Sequence, residues 1–236
     1  MTSLAENAGR TALITGASRG LGLALARRLA REGWRLVIDA RTADELEQAR
    51  AELAQWSEVV AIVGDISGIE HRQALTRAVA CWGRLDLLVN NASILGPSPQ
   101  PFLLSYPLDV LEKVYLVNTF SPLALIQHLH SYLPSGACII NITSDAAREP
   151  YPGWGGYGSS KAALEQLTAI LAAEQPQWRI YLVDPGDMNT RLHQEAFPGE
   201  DISDRPPPEV SVPGLLALIE GDYPSGRYLA REIRSR

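Results

Sequence analysis

Thr15-Gly16-Ala17-Ser18-Arg19-Gly20-Leu21-Gly22 lies between an apolar run at Arg10–Thr15 and an apolar helical pattern at Leu23–Leu29. Its three glycines permit a tight turn, a close approach of the backbone to a phosphate, and close packing of the helix on the strand. The N–H groups at the start of the helix, together with the helix dipole, attract a pyrophosphate. This context predicts a dinucleotide-binding turn; the alternative is a glycine turn with a purely structural role.

Apolar runs of strand length alternate with longer amphipathic stretches along the rest of the chain. The runs are almost continuously hydrophobic, which is typical of strands covered on both faces. The pattern predicts an α/β fold: a Rossmann-like, doubly wound parallel sheet of about seven strands with helices on both faces, in three αβα layers. The predicted strands are Arg10–Thr15, Arg35–Asp39, Val59–Val63, Leu85–Val89, Ala137–Ile142, Arg179–Val183 and an edge strand at Gly226–Ala230. The predicted helices are Gly20–Glu32, Ala43–Trp56, Glu70–Trp82, Leu108–Leu133 and Gly158–Glu174.

Two segments interrupt this alternation. Residues 94–107 contain four prolines, which predicts a loop over the end of the fourth strand. Residues 190–213 are acidic and rich in proline, with Pro206-Pro207-Pro208 at their centre. Because a long irregular loop within a compact domain is usually functional or mobile, we expect a lid over the site; a passive surface loop is the alternative.

The size and charge of the chain exclude several classes of protein. With 236 residues, 46% hydrophobic and 20% charged, it has the balance of one globular domain, which we assign to residues 1–236. Its net charge of −6 argues against a nucleic-acid partner, because duplex binding requires a basic face. No apolar run reaches the roughly 20 residues of a membrane span, and the N-terminus lacks the features of a signal peptide. We therefore expect a cytoplasmic protein with no membrane partner.

Cysteine and histidine usage favours neither a disulfide framework nor a metal site. Cys81 and Cys138 each stand alone in the sequence and are expected to be small core hydrophobes. His128 and His130 are two residues apart, which points them to different faces of a helix. We expect no metal requirement.

The turn pattern TGxxxGxG resembles the compact, single-domain type of the short-chain dehydrogenase/reductase family. Further matches follow in order over roughly residues 10–228: Asp65-Ile66, Asn90-Asn91-Ala92-Ser93 and Pro185-Gly186-Asp187-Met188-Asn189-Thr190. Ser93 replaces the usual glycine of the family. The resemblance implies an NAD(P) site that includes Gly16, Ser18, Arg19, Gly20, Leu21, Gly22, Arg41, Asp65, Ile66, Asn91, Ala92, Ser93, Tyr157, Lys161, Pro185, Gly186, Met188 and Thr190.

Tyr157 and Lys161 are four residues apart at the start of a predicted helix, so both side chains lie on one face. A free phenol has a pKa of about 10, and a nearby ammonium stabilises the phenolate. The pair therefore predicts a Tyr157 hydroxyl whose pKa is lowered toward neutrality. Such a pair also occurs often between ordinary surface residues, and its position after the fifth strand favours the functional interpretation.

The resemblance implies two further catalytic residues. Ser144 lies 13 positions before Tyr157, the family's spacing for the serine that binds the substrate oxygen. Thr143 and Ser159 are neighbouring hydroxyls that do not occupy the matching position. Asn118 resembles the asparagine that holds a backbone kink and a water connecting the lysine to solvent. The implied catalytic tetrad is Asn118, Ser144, Tyr157 and Lys161.

The implied reaction is hydride transfer between a nicotinamide cofactor and a carbonyl or secondary alcohol carbon. Tyr157 moves the proton, Ser144 stabilises the charge on oxygen, and Lys161 also binds the nicotinamide ribose. One alternative is a non-catalytic NADP(H)-sensing protein, which would be expected to lack the tyrosine or the lysine. Another is a nucleotide-sugar epimerase, which would have a larger C-terminal region.

The substrate is expected to be a small molecule with some apolar surface. Apolar residues expected at the mouth of the site are Ile94, Leu95, Tyr151, Trp154 and Met188, although the same residues could simply pack the loops. His193 and Glu195 lie on the expected lid. Family members commonly pair through the helices matched here by Leu108–Leu133 and Gly158–Glu174, which predicts a homodimer or a homotetramer.

Cofactor preference depends on which residue at the end of the second strand lies beside the ribose, Asp39 or Ala40. Asp39 ends the second strand, where an acidic residue would bind the ribose 2′-OH and select NAD. In the family, however, the discriminating position matches Ala40, and side chains alternate faces along a strand. Arg41 then follows where NADP-preferring relatives carry a basic residue, and Arg19 could join it to clamp a phosphate. We therefore expect NADP(H) to be preferred over NAD(H).

Overall fold

The computed structural model describes residues 9–233. The strands in this part of the chain are β1 (Thr11–Ile14), β2 (Arg35–Ala40), β3 (Val59–Val63), β4 (Leu87–Asn90), β5 (Cys138–Ile142), β6 (Arg179–Asp184) and β7 (Gly226–Leu229). They form one parallel sheet in the order β3-β2-β1-β4-β5-β6-β7. The predicted seven-stranded α/β fold is confirmed.

Helices cover both faces of the sheet. They are α1 (Gly20–Arg31), α2 (Ala43–Leu53), α3 (Ile69–Trp82), α4 (Leu108–Tyr115), α5 (Ser121–Leu129), α6 (Gly155–Glu174), α7 (Arg191–Ala196) and α8 (Val212–Glu220). Neighbouring residues of β1 enter different cores, because side chains alternate along a strand. Ile14 packs with α1 and α8, whereas Leu13 packs with α3 and α5.

The order of the strands places the site. β1 pairs with β2 on one side and with β4 on the other, so the direction of chain progression reverses between β1 and β4. In open α/β sheets, ligands bind at this reversal, outside the carboxyl ends of the strands. The segments that follow β1, β4, β5 and β6 all lie at that edge, and they carry most of the predicted site residues.

The single helix predicted over Leu108–Leu133 is wrong. After α4 the chain forms a π-helical segment at Leu116–Phe120, then α5, then a 3-10 turn at His130–Tyr132. Pro122 lacks the N–H that would continue regular helical bonding, and the Ser121 hydroxyl donates to the Leu116 carbonyl at 2.6 Å. The wide turn places Asn118 at the site.

Residues 190–213 are also more regular than predicted. They contain α7, a 3-10 turn at Pro208–Ser211 and the start of α8. The Thr190 hydroxyl accepts the His193 N–H at 3.3 Å and so caps α7. Residues 94–107 form the predicted loop, with one 3-10 turn at Leu103–Ser105.

The expectation that both cysteines are core residues is half right. Cys138 is buried, whereas Cys81 is exposed. Because α3 buries His71, Leu75 and Val79, four residues apart, Cys81 falls on another face of this helix. None of the described helices is long and apolar enough to cross a membrane.

Candidate active site

The glycine turn after β1 has the shape of a phosphate cradle. Gly16 and Gly20 adopt φ values of +66° and +58°, the left-handed region that favours glycine. A Cβ at Gly22 would lie 2.5 Å from the Gly16 carbonyl oxygen, whereas a Cβ at Gly20 would meet only the Thr190 methyl group at 3.7 Å. The first turn of α1 has no side-chain cap at Arg19, which leaves its N–H groups for an anion. The turn therefore fits the pyrophosphate of a dinucleotide.

Asn91 and Thr15 tie the glycine turn to the end of β4. The Asn91 amide group donates to the carbonyls of Thr15 and Gly16 at 2.9 and 3.0 Å. The Thr15 hydroxyl accepts the N–H groups of Asn91 and Ala92, both at 3.0 Å. In this structure Asn91 and Ala92 therefore hold the cradle in shape.

Asp39 lies beneath the glycine turn and is only 2% exposed. One carboxylate oxygen accepts the Gly16 N–H at 2.7 Å, and the other lies 2.8 Å from Nε2 of His71. Both carboxylate oxygens are thus bonded within the protein. This agrees with the prediction that Ala40, and not Asp39, lies beside the cofactor ribose. Sequence reasoning missed His71. The sign that could have pointed to it was its place on the apolar face of the predicted helix, four residues before Leu75.

The two arginines expected to clamp a phosphate are engaged differently. Arg19 forms two hydrogen bonds with the Glu45 carboxylate, at 2.8 and 3.0 Å, and the Ser18 hydroxyl lies 3.5 Å from the same group. Arg41 is exposed. Sequence reasoning did not identify Glu45, which competes with any phosphate for Arg19.

Asp65 follows β3 and is half-buried, while its neighbour Ile66 is buried in the core. Burial acts to raise the pKa of Asp65, but hydrogen bonds from Ser67 and the charges of Arg41 and Lys113 hold it below its usual value. Asp65 is therefore an ionised acceptor near Arg41, and both residues belong to the NAD(P) site that the resemblance implies.

The Asn118 carboxamide joins the loop after β4 to α6. Its oxygen accepts the Ile94 N–H at 2.9 Å and the Ser93 hydroxyl at 3.1 Å. Its amide group donates to the Ile94 carbonyl at 2.8 Å and to the Ser160 hydroxyl at 3.0 Å. Two donors and two acceptors complete the bonding capacity of a carboxamide. Asn118 is therefore fixed between two parts of the site.

Tyr157 lies in the first turn of α6 and Lys161 in the second, and both side chains are buried. Lys161 Nζ donates to the Ile142 carbonyl at 2.8 Å and lies 5.5 Å from the centroid of the Tyr157 ring. Burial lowers the pKa of Lys161 to about 7. The ammonium is thus directed at the end of β5.

The predicted lowering of the Tyr157 pKa is wrong for this arrangement. Burial raises the pKa of the Tyr157 hydroxyl above its usual value, and the charges of Asp184 and Asp145 add to the rise. The nearby Ser93 hydroxyl acts in the opposite direction. Lys161 is not among the groups that lower the Tyr157 pKa, and its Nζ donates to the Ile142 carbonyl instead.

Ser144 follows β5, and its hydroxyl is hydrogen-bonded to the neighbouring Asp145 rather than to Tyr157. It donates to the Asp145 carboxylate at 2.8 Å and accepts the Ala146 N–H at 3.2 Å. The other Asp145 oxygen accepts the Tyr151 hydroxyl at 3.0 Å. Sequence reasoning missed Asp145, which orients both hydroxyls at this side of the site.

A partly buried ion-pair cluster fixes the turn after β6. Asp184 accepts the Gly186 N–H at 2.9 Å and pairs with Arg227 at 2.8 Å. Arg227 also binds Glu165 at 2.8 Å and donates to the Ser144 carbonyl at 3.3 Å. The cluster therefore links the serine, the Pro185-Gly186 turn and α6. The sign of this cluster in the sequence was Arg227, a charged residue within the predicted edge strand.

The rest of the turn after β6 is divided between the core and α7. Pro185 is buried, Met188 packs on the core cluster that contains Ile14, and Thr190 caps α7. Gly186 is exposed, with a φ of +71°. Of these four residues, Gly186 is therefore the most accessible.

A small apolar cluster covers Tyr157. Leu95 and Ala146 are buried against it, and Leu192 and Ala196 of α7 pack on the same cluster. Aromatic contacts extend this cover: the Trp154 ring centroid lies 5.9 Å from that of Tyr157 and 5.9 Å from that of Phe197. Within residues 9–233, no group of three or more His, Cys, Asp or Glu is arranged to hold a metal ion.

The buried lysine gives a pH dependence with a defined sign. Between the folded pKa of about 7 and the ordinary value of 10.5, the unfolded chain binds more protons than the folded chain. Lys161→Met should therefore raise the free energy of unfolding below pH 7, by at most about 5 kcal/mol, and this gain should shrink toward pH 10. Urea unfolding without added cofactor at several pH values measures it. Lys113→Met, at the second and exposed lysine, is the control; equal pH slopes for the two variants would contradict the prediction.

Comparison with known proteins gives one family. A sequence model of the short chain dehydrogenase family matches residues 10–201. The short-chain dehydrogenase/reductase SDRA of Arabidopsis thaliana is 34% identical over 187 residues, which are 78% of this chain and 73% of that protein.

Solved structures agree. A protein described as a short chain dehydrogenase from Pseudomonas syringae has a TM-score of 0.88 and 30% identity, with 95% of each chain covered. One from Shigella flexneri 2a, solved as a complex with NADP, has a TM-score of 0.85 and 27% identity, with 95% of this chain and 98% of that chain covered. The glycine turn, the sheet order and these matches lead to one conclusion: the chain belongs to the short-chain dehydrogenase/reductase family of NAD(P)-dependent oxidoreductases.

Proposed function

We propose that this protein transfers a hydride between NADP(H) and a carbonyl or secondary alcohol substrate, with Tyr157 as general acid and base. The observation that carries the proposal is the joint burial of Tyr157, Lys161 and Asn118 at the carboxyl edge of the sheet. The phosphate-sized cradle after β1 and the NADP complex of the Shigella relative support the cofactor. When bound, the nicotinamide supplies or accepts the hydride.

The proton chemistry belongs to Tyr157 and Lys161. In reduction, Tyr157 gives its proton to the substrate oxygen as that oxygen gains negative charge. The raised pKa of Tyr157 keeps its acid form present at neutral pH. Lys161, with a pKa of about 7, takes up or releases a proton near neutral pH. Its positively charged ammonium form stabilises the Tyr157 phenolate.

Ser144 stabilises the substrate oxygen by redirecting one hydrogen bond. Its hydroxyl donates to Asp145 in this structure, and a hydroxyl hydrogen rotates to suit its acceptor. A substrate oxygen that gains negative charge is a strong acceptor, so Ser144 turns toward it. Asn118 fixes the position of α6, and therefore of Tyr157, through Ser160.

The part of residues 190–213 that forms α7 acts as the lid, and it favours a substrate with apolar surface. Leu192 and Ala196 of α7 already pack on the cluster around Tyr157. Ser98, in the loop after β4, holds α7 by donating to the Glu195 carbonyl at 2.7 Å. A carbonyl compound that reaches Tyr157 from this side meets Leu95 and Trp154, which exclude water from the reacting atoms.

Tyr157→Phe should abolish turnover and leave cofactor affinity nearly unchanged, because only the hydroxyl is removed. A panel of ketones, aldehydes and alcohols, followed by nicotinamide absorbance, measures turnover, and a fluorescence titration measures the cofactor Kd. Tyr115→Phe, on α4, is the matched control and should retain activity. Retention of more than about a tenth of wild-type kcat by Tyr157→Phe, a loss of only about 1.4 kcal/mol, would contradict the assignment.

NADP(H) is the preferred cofactor. The burial of Asp39 and the engagement of both its oxygens remove it as an acceptor for the ribose 2′-OH. Ala40 offers no carboxylate to repel a 2′-phosphate, and the exposed guanidinium of Arg41 is available to pair with one. Arg19 also binds the 2′-phosphate, once it has released the Glu45 carboxylate to which it is bonded in this structure.

Ala40→Asp combined with Arg41→Ala should reverse the preference, because it adds a ribose acceptor and removes the phosphate partner. The ratio of kcat/KM for NADPH to kcat/KM for NADH should fall from above 1 to below 1. Asp39→Asn is the control: it alters the support of the glycine turn, so both cofactors should weaken in parallel. A wild type with the higher kcat/KM for NADH, or an Asp39→Asn change confined to NADH, would refute this assignment.

The protein is a homodimer or a homotetramer. Four large apolar side chains are exposed to solvent: Leu108 at the start of α4, Leu116 and Phe120 at the two ends of the π-helical segment, and Ile170 on α6. Exposed apolar surface on adjacent helices is typical of an interface between subunits. Light scattering at micromolar concentration should give a mass of two or four chains. Leu116→Glu with Phe120→Glu should lower it, and a wild-type monomer would contradict the proposal.

We also propose one domain over residues 1–236 and a location in the cytoplasm. Both cysteines of the described chain are free, Cys81 on the surface and Cys138 in the core, as expected of a protein kept in a reducing compartment.

A further inference from the structure

Asp39 and His71 form a buried pair of ionisable side chains that the proposed reaction does not use. His71 lies in the first turn of α3, and its Nε2 is 2.8 Å from one oxygen of the Asp39 carboxylate. Because a carboxylate can only accept, Nε2 carries the hydrogen and donates it. His71 therefore fixes the orientation of a carboxylate whose other oxygen accepts the Gly16 N–H at 2.7 Å.

Asp39 holds the glycine turn at two consecutive peptide groups. Its side chain accepts the Gly16 N–H, and its backbone carbonyl accepts the Ala17 N–H at 2.9 Å. From the opposite side, the Asn91 amide group donates to the Gly16 carbonyl at 3.0 Å. The turn after β1 is thus held from both neighbouring strands, β2 and β4. The shape that it offers to a pyrophosphate depends on the Asp39 carboxylate.

The chain leaves space for the His71 ring at Gly64, the residue that follows β3. A Cβ at Gly64 would lie 2.2 Å from Nδ1 of His71 and 2.7 and 2.8 Å from two carbons of the ring. The φ of Gly64 is outside the left-handed region, so this position requires the absence of a side chain and not a special backbone conformation. A ring packed this closely on the backbone keeps its direction toward Asp39.

The pair also determines what charge lies beneath the phosphate cradle. Without His71, the second oxygen of Asp39 would lose its donor, and a buried charge without a partner costs free energy. Such a carboxylate would gain by turning toward another donor or by taking up a proton. Either change alters its bond to Gly16, and an uncompensated negative charge at this place would also repel a pyrophosphate.

We propose that His71 is a positioning residue for the cofactor: it orients Asp39, and Asp39 holds the glycine turn in the shape that binds the pyrophosphate. This role rests on the dinucleotide binding of the proposed function. Because NADPH and NADH share the pyrophosphate, His71 supports the binding of both cofactors equally. It takes no part in the proton transfer by Tyr157.

The first measurement follows the exchange of the Gly16 amide hydrogen in D2O by 15N NMR, on the full-length protein without cofactor. His71→Leu, which has no donor, should accelerate this exchange about tenfold relative to that of the Thr15 amide. The Thr15 N–H is the internal reference, because it donates to the Val89 carbonyl within the sheet and reports a general loss of stability. His71→Gln, which keeps an N–H for Asp39, should retain the wild-type ratio.

The second measurement is the Kd of NADPH and of NADH by titration calorimetry. His71→Leu should weaken both about tenfold, and His71→Gln should stay near the wild type. Val79→Ala is the matched control, because Val79 is buried two turns further along α3 and its loss disturbs the same helix without removing the donor to Asp39. It should leave both Kd values unchanged. With an active carbonyl compound, His71→Leu should raise the KM for NADPH and leave kcat near the wild type.

A double variant tests whether His71 acts through Asp39. Asp39→Asn with His71→Leu should bind NADPH no more weakly than Asp39→Asn alone, because both substitutions interrupt the same chain of hydrogen bonds. The double variant also lacks the buried charge that His71→Leu leaves without a partner. If urea unfolding shows that His71→Leu is not folded, this comparison replaces it, and a further tenfold loss in the double variant overturns the role.

The other outcomes separate this role from the proposed function. Unchanged Gly16 exchange and unchanged Kd values in a folded His71→Leu overturn the role of His71 alone. Equal acceleration at Thr15 and Gly16, or weaker binding in Val79→Ala, also overturns it, because His71 would then support only the fold. A wild type that binds NADPH without turnover of any carbonyl compound overturns the proposed reaction and not this role. A wild type that binds neither cofactor overturns both.

Discussion

The buried carboxamide of Asn118 is the connection on which the candidate site depends. With four hydrogen bonds it joins the loop after β4 to α6, through Ser93, Ile94 and Ser160. A buried amide with unmet bonds would cost free energy, so each partner holds the others in place. The π-helical segment at Leu116–Phe120 exists where this side chain must turn inward. Tyr157 is fixed because Asn118 is fixed.

Most of the fold could be predicted from the sequence because its signals are local. Apolar strands, amphipathic helices and the glycines at 16, 20 and 22 depend on short stretches of chain. The alternation of side chains along β2 also predicted that Asp39 is turned away from the ribose position. What this rule could not supply was the partner, because His71 comes from α3, 32 residues further on.

The remaining features depend on contacts between distant residues. The apolar pattern of Leu108–Leu133 continues through the break at Leu116–Phe120, so periodicity alone predicts one helix. The direction of the Ser144 hydroxyl depends on which acceptor it bonds, because Asp145 and a substrate oxygen compete for its hydrogen. The pairing of Arg19 with Glu45 requires α2 to approach α1. Spacing placed Tyr157 and Lys161 on one helix, but burial set the direction of the pKa shift of each.

Isotope transfer tests most directly whether this site moves a hydride while Tyr157 moves the proton. NADPH carrying deuterium at the transferable position of the nicotinamide is incubated with the ketones and aldehydes of the panel, and the alcohols are analysed by mass spectrometry. We expect one deuterium on the carbinol carbon with the wild type and none with Tyr157→Phe. Saturable NADPH binding by the wild type without deuterium in any product would contradict it.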